Sequence, residues 1–272
     1  MISIAKFLAP AMLLIACTPI SGGAVEEAEV IVFRDADGRT ITLADLKDAT
    51  GTFCYEIIGA GDVSAEASRL HQAAREAGQR GEYQQAITLL TTASALAPRW
   101  PYPIYDRAYT NLLMGDIDAA RADYKRTVEL APRGYFTAIT AVDILDRERA
   151  GEFPPGTYLA YLMLEWIDDR AKRIDMTRRI VNGLPRFAPG WKDLVYFAEQ
   201  DTERIAAIEN GLAAAPDAET RGMLQINKAL VLDRQGDHEG AVRLLGGLVL
   251  DPHSTSGTEQ LAKATLATIT KK

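Results

Sequence analysis

The feature that most constrains the fold of this chain is a repeat of 34 residues. Residues 81–98 read GEYQQAITLLTTASALAP, and residues 115–132 read GDIDAARADYKRTVELAP. In both copies apolar residues recur at helical spacing, and glycine and proline mark helix ends. Each copy therefore predicts two antiparallel helices that must stack on neighbours to bury their apolar faces. The matched positions are Gly81 and Gly115, Ala86 and Ala120, and Pro98 and Pro132.

This length and pattern resemble the tetratricopeptide repeat, a helix–turn–helix unit of the same period. The clearest units are residues 67–100, 101–134 and 222–254, and the register is looser between 135 and 221. The resemblance implies an all-α solenoid of about five to six helix pairs over residues 61–254. Residues 255–272 are predicted to form a C-terminal capping helix, opened by the capping box Ser256-Gly257-Thr258-Glu259.

The resemblance also implies a function, because the first helix of each unit lines a concave groove that binds a protein or peptide segment. Tyr102, Tyr105 and Tyr109 are spaced three and four residues apart, so they form a stripe on one helix face. The alternative is that this stripe packs between helices. The groove positions carried over to this chain are Ser68, His71, Arg75, Tyr102, Tyr105, Tyr109, Leu112 and Leu113, extended by Phe136, Ile139 and Asp143.

The first residues have the pattern of an export signal. Lys6 precedes an uncharged apolar run that is too short to span a membrane, which predicts a signal peptide over residues 1–16. Leu14-Ile15-Ala16-Cys17 resembles the lipobox of bacterial lipoproteins, which implies a lipid anchor on Cys17. Thr18 then favours the periplasmic face of the outer membrane. The alternative is cleavage after Ala24, which would give a soluble periplasmic or secreted protein.

A short β-rich segment is expected between the linker, residues 17–28, and the repeats. Within residues 29–60, EVIVFR and RTITL flank a turn at Asp35-Ala36-Asp37-Gly38 and predict a hairpin, and TFCYEII predicts a third strand. We expect this segment to pack on the first helices. Cys54 lacks a disulfide partner if Cys17 is acylated, so it is interpreted as a small buried apolar residue.

Composition and motifs argue against several classes of function. The net charge of −7 disfavours nucleic acid as a partner. His71, His238 and His253 have no metal-ligand spacing, and no hydrolase, P-loop or complete dinucleotide motif is present. We therefore predict no enzyme activity, no cofactor and no metal site. The predicted function is an exported, lipid-anchored scaffold in envelope assembly; the alternatives are a soluble periplasmic binding module, or an accessory to an enzyme or redox system through residues 29–60.

Overall fold

The computed structural model describes residues 30–34, 39–40, 54–58 and 63–270. Within these ranges two short strands precede twelve α-helices, and a 3₁₀ turn, Met163–Trp166, follows the sixth helix. The predominantly helical architecture expected from the sequence is therefore confirmed. The helices are Ala65–Gln79 (α1), Tyr83–Leu96 (α2), Pro101–Leu113 (α3), Ile117–Leu130 (α4), Ala138–Arg149 (α5), Thr157–Leu162 (α6), Arg170–Gly183 (α7), Ala188–Phe197 (α8), Asp201–Ala213 (α9), Ala218–Arg234 (α10), His238–Leu250 (α11) and Ser256–Ile269 (α12).

The same glycine turn joins the helices of the regular pairs α1–α2 and α3–α4. Gly81 has a φ of +78° and Gly115 a φ of +81°. In each turn the residue after the glycine donates its N–H to a carbonyl five residues back, as Glu82 does to Ala77 at 2.9 Å. This is the hydrogen bond of a helix ended by a left-handed glycine. Gly151 after α5 and Gly236 after α10 repeat the turn, with φ of +76° and +91°.

Small residues let the two helices of each regular pair approach closely. Ala74 on α1 and Ala86 and Ala93 on α2 are almost completely buried. In the second pair Ala108 and Ala120 have no exposed surface. Because an alanine contact keeps helix axes close, the repeated alanines explain why the motif produces the same pair twice.

The third pair is cut short after α5. Pro154 and Pro155 follow the Gly151 turn, and α6 is only six residues long before the 3₁₀ turn. The buried carboxylate of Glu148 accepts hydrogen bonds of 2.7 Å from the N–H groups of Gly156 and Tyr158. A carboxylate at this end of a helix satisfies free N–H groups and favours the helix dipole. Glu148 therefore fixes where α6 starts.

The C-terminal helices fold back onto the middle of the chain, where α10 contacts α5. At this contact the Thr140 hydroxyl donates to Asp217 at 3.1 Å. The N–H of Ser256 donates to the carbonyl of Arg133 at 2.7 Å, and the Arg133 guanidinium pairs with Glu259. The segment that contains helices α6 to α9 therefore begins and ends at two helices, α5 and α10, that contact each other.

Helix α12 is capped one residue earlier than the sequence predicts. Thr255, and not Ser256, is the N-cap, and its hydroxyl accepts from the N–H of Thr258 at 3.2 Å. The Thr255 hydroxyl is buried and bonded to Glu219 of α10, which holds it at the helix end. Glu259 instead pairs with Arg133, so the predicted capping box is wrong.

In the N-terminal segment the structure describes the backbone of two short strands. Strands Val30–Arg34 (β1) and Cys54–Ile58 (β2) pair antiparallel, with Val30 opposite Ile58. The hairpin turn at 35–38 and most of the predicted strand after it lie outside the described residues, so that hairpin stays a prediction. β1 contacts α12, although the sequence predicted packing on the first helices.

The signal segment 1–16, Cys17 and the linker also lie outside the described residues, so the signal peptide and the lipid anchor stay predictions from the sequence. Among the helices that are described, none combines the length and apolar character needed to cross a membrane.

Candidate binding surface around the tyrosine stripe

The tyrosine stripe of α3 combines packing with access to solvent. Tyr102, Tyr105 and Tyr109 are all half-buried. The Tyr105 ring centroid lies 5.1 Å from that of Phe136 and 5.6 Å from that of Tyr124, and its hydroxyl is 2.8 Å from Thr137 Oγ1. Both interpretations of the stripe therefore hold in part: the rings pack on α4 and α5 while part of each ring meets water.

His71 and Arg75 connect α1 to the stripe. His71 is 6% exposed, its Nε2 is 2.8 Å from Asp106 Oδ2, and its ring centroid is 4.5 Å from that of Tyr102. Arg75 places its Nε 3.9 Å from the same carboxylate and its guanidinium carbon 5.9 Å from the Tyr102 centroid. His71 is therefore a buried link between two repeats, and Arg75 is the more accessible member of the pair.

Phe136 extends the stripe towards α5 in an unusual backbone conformation. Its φ of +46° is uncommon for a residue with a side chain. The ring centroids of Tyr102 and Tyr105 lie 5.3 Å and 5.1 Å away, so aromatic packing holds it there. Ile139 on α5 is half-buried as well.

Among the groove residues predicted from the sequence, Leu112 has to be corrected. Its side chain is completely buried in the core that α3 forms with α4 and α5. It follows Tyr105 by seven residues, about two helical turns, so it lies on nearly the same side of α3, but there the core covers it completely. Ser68 is exposed, and Leu113 and Asp143 are half-buried. Leu112 therefore cannot contact a partner without local unfolding.

A second set of side chains, from α6, the 3₁₀ turn and α8, adjoins the stripe and was missed from the sequence. Tyr158 and Tyr161 are three residues apart on α6 and both are buried, and Glu165 follows in the 3₁₀ turn, where it is exposed. The Tyr161 hydroxyl donates to Asp193 of α8 at 3.1 Å. The Tyr158 hydroxyl lies 3.4 Å from Thr137 Oγ1, which also forms the hydrogen bond with the Tyr105 hydroxyl. We call the combined set the tyrosine surface: Tyr102, Tyr105, Tyr109, Phe136, Ile139, Tyr161, Glu165 and Asp193.

Two carboxyl groups of the tyrosine surface have raised pKa values. Water reaches Glu165, yet the surrounding protein removes enough of it to raise the pKa of this carboxyl, and the charge of Asp193 raises it further against Lys192 and Arg173. Burial also raises the pKa of Asp193, against Lys192, the Tyr161 hydrogen bond and Arg173. The surrounding protein therefore partly shields both carboxyl groups from water.

The same surroundings also raise the pKa of two tyrosine hydroxyls. Burial raises the pKa of Tyr105, and the charges of Asp106 and Glu165 add to that effect. Burial followed by the charge of Glu165 also raises the pKa of Tyr109. These phenols therefore stay protonated at neutral pH and act as hydrogen-bond donors.

A shallow hollow of about 440 Å³ lies between α10 and α11. Gly240 and Gly247 leave space along α11, and Leu232 and Leu244 contribute apolar surface. Its lining contains no aromatic ring. The tyrosine surface has both rings and convergent polar groups, so it is the stronger candidate for specific recognition.

No group of three or more potential ligands for a metal ion occurs among the residues that the structure describes. The three histidines are apart from one another, and His238 bonds Asp233 at 2.9 Å. Nothing in the described chain gathers the side chains that a metal centre needs.

Comparisons with known proteins give little beyond these observations. No family model matches the chain, and no curated protein matches it. Among solved structures, the chain is similar to "MamA RS-1 ArsTM double mutant", at 14% identity over 74% of this chain and 97% of that one, with a TM-score of 0.33. It is also similar to "MamA 41-end from Desulfovibrio magneticus RS-1", at 15% identity over 68% and 93%, with a TM-score of 0.32.

A further similar structure is TTC0263, described as a thermophilic TPR protein in Thermus thermophilus. The identity is 17% over 76% of this chain and all of that one, with a TM-score of 0.31. TM-scores at this level carry no conclusion about function. The repeat architecture rests on the helix pairs and glycine turns of the chain itself.

Proposed function

We propose that this chain is a scaffold that binds a segment of a partner protein on its tyrosine surface. The observation that carries the proposal is the stripe of Tyr102, Tyr105 and Tyr109, whose rings are held in place by packing while part of each stays accessible. Tyrosine is favoured at binding hot spots because it offers a large apolar area, few rotatable bonds and a hydroxyl donor. Rings that are already fixed lose little entropy when they bind.

The experiment is site-specific photo-crosslinking in the native envelope. A photoreactive amino acid at Tyr109 should crosslink one partner protein, and the same group at Thr92 should not. Thr92 is an exposed residue of α2 and belongs to the same regular repeats. The Tyr109→Ala variant should bind the crosslinked partner more weakly by roughly 2 kcal/mol, the scale of an interface anchor. Equal crosslinking at both positions would contradict the proposal.

We further propose that the scaffold is held at the periplasmic face of the outer membrane by acylation of Cys17. The support is the lipobox-like Leu14-Ile15-Ala16-Cys17 after a short apolar run with one positive charge. Multiple acyl chains are sufficient for stable anchoring, since each buried methylene contributes about 0.8 kcal/mol. Such a position suits a role in envelope assembly.

Membrane fractionation of Cys17→Ala tests this anchor. The wild-type chain should enter the membrane fraction and incorporate a labelled fatty acid, and the variant should do neither. A variant that stays with the membrane would remove the lipid anchor. A wild-type chain that is soluble and begins at Val25 would support the alternative of a soluble periplasmic module.

The third candidate, an accessory role in an enzyme or redox system through residues 29–60, depends on Cys54. Cys54 begins β2, and the chain has one other cysteine, Cys17. A Cys54→Ser variant that behaves as the wild-type chain in partner binding and thiol reactivity assays would exclude this role.

A further inference from the structure

We propose that this chain forms a symmetric homodimer in which α11 packs antiparallel against α11 of a second copy, with Gly247 at the two-fold axis. This inference goes beyond the proposed binding function and does not depend on the tyrosine surface. It is carried by the residues along the accessible face of α11, by the hollow beside that face and by the charges on either side of Gly247.

One face of α11 is left accessible by the rest of the described chain. Arg243, Gly247 and Leu250 are exposed, and they follow one another at intervals of four and three residues, so they share one side of the helix. Leu244 beside them is half-buried. The opposite side consists of buried apolar residues in the core that α11 forms with α10 and α12: Ala241, Leu245 and Leu248.

The hollow between α10 and α11 lies along this accessible face. Leu232 of α10 and Leu244 of α11 contribute apolar walls, and Gly240 and Gly247 have no side chain to fill it. A Cβ added at Gly247 would meet no atom within 4 Å, so the space above this glycine is open. Because the distance between two packed helices depends on the side chains at their contact, a second helix can cross closely at Gly247.

The charged residues of this face are arranged symmetrically about Gly247. Arg243 lies four residues before Gly247 and Asp251 four residues after it, which is about 6 Å along the helix axis in each direction. In an antiparallel pair with its two-fold axis at Gly247, Arg243 of each copy therefore faces Asp251 of the other copy. A single arrangement thus forms two pairs of opposite charge.

Both charged groups are available for this pairing. Within the described residues Asp251 makes no ion pair, and one of its carboxylate oxygens accepts from the N–H of His253 at 2.9 Å. Arg243 pairs with Glu239 at 2.6 Å, but the two side chains are 73% and 87% exposed. Exposed ion pairs contribute little stability, so Arg243 can exchange Glu239 for Asp251 of the second copy.

The same symmetry gives the exposed side chain of Leu250 an apolar contact. Leu250 is 82% exposed, and a single exposed leucine is ordinary on a protein surface. However, Leu250 lies three residues after Gly247 and Leu244 three residues before it, so Leu250 of each copy faces Leu244 of the other, beside the hollow. Since one axis satisfies both the charged and the apolar pairs, a second copy fits this face better than an unrelated segment does.

Sedimentation of the full chain over a range of concentrations measures the dimer, with Cys17→Ala to exclude a lipid anchor. We expect a concentration-dependent dimer. Arg243→Glu and Asp251→Arg should each weaken it at least about tenfold, because like charges then meet twice in every dimer. The double variant Arg243→Glu/Asp251→Arg exchanges the two charges and should restore the dimer. Recovery in the double variant excludes misfolding as the cause of the single losses.

A cysteine at the axis tests the geometry directly. In a chain with Cys17→Ala and Cys54→Ser, Gly247→Cys should form a disulfide between two copies when oxidised with diamide, because identical residues meet at a two-fold axis. The matched control is Gly246→Cys, one residue further around the helix, which should crosslink far less. An added Cβ at Gly246 also meets no atom within 4 Å, so both variants should fold equally well.

The outcomes separate the dimer from the binding function. A chain that stays monomeric at every concentration would overturn the inference. A dimer that the charge reversals leave unchanged, or that crosslinks equally at Gly246 and Gly247, would overturn it too, because the contact would then lie elsewhere. Tyr109→Ala should lose partner binding and remain dimeric; loss of the dimer in this variant would place the contact on the tyrosine surface and contradict the proposed axis.

Discussion

The regular pairs over residues 63–134 and the irregular helices over residues 135–217 differ in the contacts that their polar groups make. In the regular pairs, charged groups are matched: Arg107 makes hydrogen bonds of 2.9 and 2.7 Å to Asp123. In the irregular region, Glu165 has no partner in the described structure, and the buried Nε of Arg173 has none. The regular pairs form a frame that repeats one glycine turn and one alanine contact, whereas the irregular region depends on contacts between separate elements.

The largest effect should come from removing core volume in the frame. Leu112→Ala should lower the free energy of unfolding by about 3 kcal/mol, because Leu112 is completely buried and truncation leaves a cavity. The matched change Leu159→Ala, at a half-buried residue of α6, should cost about 1 kcal/mol. Chemical denaturation measures both. Equal losses would mean that α6 is as well packed as the frame, which breaks the comparison.

Tyr105 joins the two regions, so its truncation should have the next largest effect. Tyr105→Ala should cost about 2 kcal/mol of unfolding free energy, less than a full aromatic cavity because the ring is half-buried. Tyr105→Phe should cost about 1 kcal/mol, since it loses only the hydrogen bond to Thr137. Thermal and denaturant melting of both variants checks this. An alanine variant as stable as wild type would make Tyr105 a pure surface residue.

The glycine turns should give a smaller effect whose sign depends on position. Gly115→Ala should destabilise the chain by about 1 kcal/mol because its φ of +81° strains a residue with a Cβ. Gly246→Ala should stabilise it by roughly 0.5 to 1 kcal/mol, since Gly246 lies within α11 and an added Cβ meets no atom within 4 Å. Melting temperatures that move the same way in both variants would mean that the Gly115 turn is misassigned.

The smallest effect concerns the charge of Glu165. Burial and Asp193 raise the pKa of Glu165 in the folded chain, so the folded state is most favoured below the unfolded pKa of this group and loses stability as pH rises through its folded pKa. Glu165→Gln should therefore be more stable than wild type at pH 7 and equal to it in acid. Since the side chain is exposed, we expect only a few tenths of a kcal/mol. Denaturation as a function of pH checks the sign. A variant less stable than wild type at pH 7 would show that Glu165 is a stabilising group.

The frame could be predicted from the sequence because its determinants are local. Gly81 and Gly115 follow helix ends as the sequence predicts, since a helix end needs only a few neighbouring residues to form. The prediction for Leu112 failed because positions taken from a repeat family do not say how much of a helix face the neighbouring core covers. A buried leucine and a half-buried tyrosine therefore lie on nearly the same side of α3.

Three of the eight residues of the tyrosine surface, Tyr161, Glu165 and Asp193, could not be predicted in this way. The place of Tyr161 and Glu165 depends on where α6 begins, and that is set by the buried carboxylate of Glu148 and by contact with Asp193 of α8. These are contacts between separate elements. The spacing of Tyr158 and Tyr161 on one face of α6 was the one local signal available.

Hydrogen–deuterium exchange of the full chain, with and without a bound peptide, tests most directly whether binding uses the tyrosine surface. The expected result is slower exchange in α3 and in residues 157–166, with no change in α10 and α11. Slower exchange confined to α10 and α11, around the glycine-lined hollow, would contradict it, because the bound segment would then lie away from every residue of the tyrosine surface.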